Sequence, residues 1–109
     1  MADINVTFTP VTGSSDIDSY EVYVCDATPS GHFTTAAALQ TKLDAIHGGA
    51  SALSEGLVLV ESITNLGATS ITTAHTVPGS GSYHFGIAAK NQGGFKVEDD
   101  TAVTHLAVN

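Results

Sequence analysis

The sequence predicts an all-β fold: two layers of about six antiparallel strands, with one α-helix inserted among them. Three observations carry this reading. Apolar side chains recur at every second position through most of the chain, the period that gives a strand one buried face. Clusters of Gly, Pro, Asn, Asp and Ser punctuate these runs at short intervals, as the turns of a sandwich or, failing that, a small barrel require. One stretch alone carries the three-and-four spacing of a helix, too few for the crossovers of a parallel sheet.

In the first strand Ile4, Val6 and Phe8 alternate with Asn5, Thr7 and Thr9, and Pro10 with Gly13-Ser14-Ser15-Asp16 stops it. In the second, Tyr20, Val22 and Val24 alternate with Glu21, Tyr23 and Cys25, ahead of Pro29-Ser30-Gly31. Thr34–His47 then places Ala36, Leu39, Leu43 and Ile46 on one helical face. Thr34 or Thr35 caps its start, and Gly48-Gly49 ends it because glycine tolerates the left-handed conformation past a helix C-terminus. Leu57–Ile63 is a third, nearly continuous apolar strand, and Asn65-Leu66-Gly67 separates it from a fourth, Ser70–Val77. After Pro78-Gly79-Ser80-Gly81, Tyr83, Phe85, Ile87 and Ala89 alternate with His84, Gly86, Ala88 and Lys90 in the clearest strand of the chain. Gln92-Gly93-Gly94 ends it, and Ala102–Val108 is the last strand. The expected core is Phe8, Tyr20, Val22, Tyr83, Phe85 and Ile87. The helical stripe is expected to cover this core rather than to dock a partner, because most amphipathic helices pack at home.

The composition bounds the function. With 109 residues, 42% of them apolar, the chain suits one domain with a true core and is not intrinsically disordered. Eleven Asp and Glu against three Lys, with no Arg, give a net charge of −8. Nucleic acid and anionic membrane surfaces, which need basic patches, are therefore not expected partners. The longest apolar run, Leu57–Val60, falls far short of the roughly 20 residues of a membrane helix. The start, MADINVTFTP, lacks the basic and apolar regions of a secretion signal, so synthesis in a cytoplasm without secretion is expected if Met1 is native.

Two stretches resemble a fibronectin type III domain, a relative of the immunoglobulin fold. Val6-Thr7-Phe8-Thr9-Pro10 with Asp16-Ile17-Asp18-Ser19-Tyr20-Glu21-Val22-Tyr23 is similar to that family's B and C strands, with Phe8 where the family usually has tryptophan. Val77-Pro78-Gly79-Ser80-Gly81-Ser82-Tyr83, continuing through Phe85, Ile87, Ala89 and Asn91 to Gly93, resembles its E–F turn and F strand. The resemblance covers about a third of the chain and implies a single immunoglobulin-like β-sandwich over residues 1–109, with the helical insertion at about 34–48. It gives Tyr83 the role of closing a corner onto the preceding turn. It also implies a strand A that the residues before Ile4 do not supply. Without that strand the outer edge of Ile4, Asn5, Val6 and Thr7 offers backbone groups to another chain, unless it is simply solvated or the insertion covers it.

Motifs for chemistry are sparse. Asp16, Asp18 and Asp26, and likewise Asp99-Asp100, lack the spacing of a calcium loop and are read as turn and loop residues. His32, His47, His75, His84 and His105 form no HxH or HExxH motif. His84 and His105 on neighbouring strands could pair, but without a third ligand both are read as solvated strand residues, and no metal site is expected. Cys25, the lone cysteine, has no base marked for it and is expected to be partly exposed or buried at an interface. Gly79-Ser80-Gly81-Ser82 is neither a nucleophile elbow nor a phosphate loop. No catalytic residue and no cofactor is expected.

The expected role is a non-enzymatic structural or interaction module. Domains of the resembled kind occur as decoration, fibre or tail subunits of bacteriophage particles, which implies a virion location and assembly with copies of itself or with other virion proteins. A host-surface glycan is a further possible partner. The alternative is a carbohydrate-binding or adhesin module of a secreted or cell-surface protein, with Tyr23 and rows of Ser and Thr as a shallow sugar site.

Overall fold

The computed structural model describes residues 2–8, 17–25, 32–64, 70–77, 81–98 and 100–108. The turns expected at 10–16, 29–31, 65–67 and 78–80, and with them Asp16, Asp26 and Asp99, lie outside the described residues. Among the described residues, seven strands and one α-helix follow in the order β1 (Ala2–Phe8), β2 (Ser19–Cys25), α1 (Ala36–His47), β3 (Leu57–Ile63), β4 (Ile71–Val77), β5 (Gly81–Asn91), β6 (Gly94–Lys96) and β7 (Val103–Val108). Short 3-10 turns occupy Leu53–Glu55 and Asp100–Ala102, so the last strand begins one residue later than the sequence suggests.

The extra strand is β6. The Gln92-Gly93-Gly94 cluster does end β5, but as the tight turn of a hairpin in which Asn91 faces Gly94. The Asn91 side chain accepts from the Gly93 N–H at 2.7 Å, and Gly94 takes φ +126°, a conformation glycine adopts without a Cβ clash. Three residues, one of them glycine, are too few to show a period of two.

Every ladder is antiparallel. β1 pairs with β4 in full register from Ala2↔Val77 to Phe8↔Ile71, making a two-stranded sheet. The second sheet has five strands: β3 beside β2, β2 beside β5, and β7 and β6 sharing the far edge of β5. Val6, Phe8 and Val77 of the small sheet and Tyr20, Val22, Val24, Tyr83, Phe85 and Ile87 of the large one are all buried in one core cluster. Across it the His75 ring meets Phe85 edge-on at 6.1 Å.

The other face of the large sheet is buried as well. The helix starts at Thr35, whose hydroxyl accepts from the Ala38 N–H, and closes with Gly49 N–H to Ile46 and Ala50 N–H to Ala45. This paired closure is a Schellman motif, with Gly49 at φ +119° past the cap. Leu39 and Leu43 are fully buried, while Ala36 and Ile46 flank them half-buried. Their seat is β5 at Gly86, where an added Cβ would stand 2.3 Å from Leu39 Cδ2 and 3.1 Å from Phe33 Cε2. Gln40 fastens the helix laterally: its Nε2 donates to the Phe95 carbonyl at 2.7 Å, and its Oε1 accepts from the Val97 N–H at 2.8 Å. At the start of the helix, Asp100 accepts from the Ala36 N–H at 2.8 Å.

This layer corrects three expectations. Cys25, expected to be partly exposed or at an interface, is 1% exposed within its own chain. His84, expected to be solvated, is 8% exposed. Tyr23, the aromatic of the supposed sugar site, is buried against the edge of the Phe95 ring. The physical reason is common to all three: the helix with Leu39, the segment before it with Phe33, and Phe95 of β6 cover what alternation alone marks as the solvent face. A further difference concerns β3. Its nearly continuous apolar run belongs to an edge strand, and Val58 and Leu59 remain exposed. A register shift opposite Val22 and Tyr23 leaves Val60 without a cross-strand partner.

Phe8→Ala is expected to lower stability by about 3–5 kcal/mol, as truncation of a buried aromatic does, measured by chemical denaturation. Gly86→Ala is expected to lower it by about 1–3 kcal/mol, because a methyl there overlaps a packed leucine. In a Leu39→Ala background the same Gly86→Ala change is expected to cost less, because the overlapped side chain is gone, and a double-mutant cycle measures that coupling. Burial holds the His75 pKa below its usual 6.5. The unfolded chain therefore takes up the proton first as pH falls through 6.5, and the folded chain loses stability. In thermal melts the stability of the natural chain relative to His75→Gln is expected to fall between about pH 7.5 and pH 5.5.

Candidate metal centre and strand edges

On the helix-facing side of the large sheet, period two aligns Cys25 at the end of β2, His84 on β5 and His105 on β7. Val24 faces Phe85 in one ladder, and His84 faces His105 in the next. Cys25 and His84 stand on strands that pair on both sides, and at these positions their ladder partners are Leu57 and His105. A fourth member, His32, arrives from the segment leading into the helix. Beside it Phe33 is fully buried, its ring 6.1 Å from that of His84.

Donor atoms of Cys25, His32 and His84 all lie within 4.8 Å of one another. The His84 ring sits 5.1 Å from His32 and 4.7 Å from His105, tilted against both. The His84 backbone N–H donates to Cys25 Sγ at 3.3 Å, and the thiol reaches the Ser82 carbonyl at 3.9 Å. His84 Nδ1 is buried with no hydrogen-bond partner. Burial, and then the neighbouring His105 and His32, hold the His84 pKa below its ordinary value, so the ring is kept neutral. A neutral imidazole is the form that binds metal ions.

The chemistry open to this group is narrow. A thiol nucleophile needs access for its substrate, and a Cys25 that is 1% exposed has none. A thiol and imidazoles converging from rigid strands suit a borderline-soft cation. The donors that converge with His84 are Cys25 and His32, not the cross-strand His105 that the sequence pointed to. Cys25 was legible as a neighbour of His84, since both fall on the same alternation face. His32 was not, because a loop placed it there.

A second polar group on this face reads as structural. Lys90 Nζ lies 3.0 Å from Glu21 Oε1, close but outside hydrogen-bond geometry, and 5.3 Å over the Phe95 ring. Burial and the Glu21 charge push the Tyr23 hydroxyl up to about 12, so it stays protonated across physiological pH.

The residues expected to bind a partner, Ile4, Asn5, Val6 and Thr7, all lie in β1. Among the described residues β1 pairs with β4 alone. Val6 turns inward, whereas Asn5 and Thr7 are exposed, and the Thr7 and Thr72 hydroxyls meet at 2.9 Å across the ladder. β3 likewise pairs on one side, with β2.

No protein-family profile, curated protein or solved structure matches this chain. Among the described residues, no helix is long and apolar enough to cross a membrane.

Proposed function

We propose that the chain is a non-enzymatic structural and interaction module on a fibronectin type III-like sandwich, assembling with copies of itself or with a larger scaffold through strand edges. The observation that carries this reading is the one-sided pairing of β1 among the described residues. An edge of this kind offers backbone N–H and C=O groups that a further strand satisfies. Exposed Val58 and Leu59 on edge strand β3 add apolar surface of the sort that neighbouring subunits cover.

The fold half of the proposal is supported by strand order. Taking β1, β2, β3, β4, β5 and β7 as B, C, C′, E, F and G gives sheets B–E and C′–C–F–G, the pairing that immunoglobulin-like domains use. The virion role, as a decoration, fibre or tail-associated subunit, rests on analogy between such domains. The buried Tyr23 removes the aromatic platform on which a glycan-binding role leaned.

Light scattering after size-exclusion chromatography tests the reading across a concentration series. The natural chain is expected to shift toward oligomer as concentration rises, and Asn5→Lys with Thr7→Lys, which charges the exposed side of the edge, is expected to hold it monomeric. A chain that is monomeric at every concentration and does not co-purify with assembled particles overturns the proposal.

A further inference from the structure

We propose that Cys25, His32 and His84 form a binding site for one zinc-class divalent cation. The argument starts from placement. Two of the three donors stand on adjacent strands of the large sheet, one position beyond the Val24↔Phe85 pair and tied by the His84 N–H to Cys25 Sγ, so the backbone brings them side by side. The third, half-buried His32, lies at the solvent side and gives an ion its way in. The three donor atoms fall within 4.8 Å of one another, a span that small side-chain rotations close to the spacing around a tetrahedral ion.

The environment agrees with the donors. His84 Nδ1 is a buried polar atom that no protein group satisfies. Metal-bound sulfur is commonly supported by outer hydrogen bonds, and the His84 backbone N–H already points at Cys25 Sγ. A thiol with two imidazoles selects zinc-class ions over magnesium or calcium, which require oxygen ligands. His105, its ring 4.7 Å from His84, borders the group but is not one of its three converging donors, so the fourth position of a tetrahedral ion falls to solvent. Binding converts the Cys25 thiol to thiolate, breaks its contact with the Ser82 carbonyl and releases one proton to solvent.

Cobalt(II) is the probe, since it takes the same geometry as zinc and absorbs visible light. The full chain, reduced and freed of metal by a chelator, is titrated at neutral pH. A thiolate-to-cobalt charge-transfer band and strong tetrahedral d–d bands are expected to saturate at one ion per chain, and zinc should abolish both. Cys25→Ser is expected to remove the charge-transfer band. His32→Ala, at a half-buried loop position that the fold tolerates, is expected to weaken binding by on the order of 100-fold or more while circular dichroism stays unchanged. Zinc should also raise the melting temperature of the natural chain and leave that of His32→Ala in place. A natural chain without a saturable tetrahedral spectrum, or one whose spectrum survives both Cys25→Ser and His32→Ala, overturns the site.

Discussion

The missing side chain at Gly86 is the constraint on which the arrangement of this molecule depends. The helix touches the centre of the large sheet there, with Leu39 and Phe33 in the space a Cβ would fill. No other residue type permits that approach. With the helix seated, Gln40 reaches the backbone of β6 and Asp100 reaches the start of α1. The last third of the chain is thereby tied to its middle by side-chain to backbone bonds. Remove the close approach and these contacts lose the geometry that supports them.

A sheet covered on both faces changes the meaning of its polar residues. Glu21, Tyr23, Cys25 and His84 would be unremarkable on an open face, where water satisfies each of them. Under a helix each needs a local answer. Glu21 has Lys90, and Tyr23 keeps its proton with its ring against Phe95. Cys25 takes the His84 N–H. The His84 ring is left with an unsatisfied nitrogen, beside two further imidazoles and a thiol. The donor cluster is thus a product of the same packing that makes the helix necessary.

Much of this architecture was legible because periodicity reports directly on which side a residue faces. The strands from Val6 to Phe8, Tyr20 to Val24 and Tyr83 to Ala89 alternate cleanly, and their expected inward residues are buried. The helix was readable from Ala36, Leu39, Leu43 and Ile46, with Thr35 and Gly49 at its ends. What the pattern could not give was the second cover. Period two separates two faces but does not say that one of them meets water. A hint was present, since Tyr23, Cys25, Gly86 and Ala88 are small or apolar for a solvent face. β6 escaped for want of length, and His32 because loops carry no period. Leu57–Ile63 was legible as a strand, but its apolar run did not tell that it lies at an edge of the described sheet, with Val58 and Leu59 exposed.

Strand β5 is hydrogen-bonded to β2 along one side and to β7 and β6 along the other. Opening any single neighbour therefore leaves most of its amides protected, while β1 and β4 hold each other through one ladder. Hydrogen exchange in such a molecule is graded: the two-stranded layer breathes at low energy, and the centre yields last. The row that runs from β2 through β5 to β7 accordingly keeps its spacing while the outer layer opens and closes.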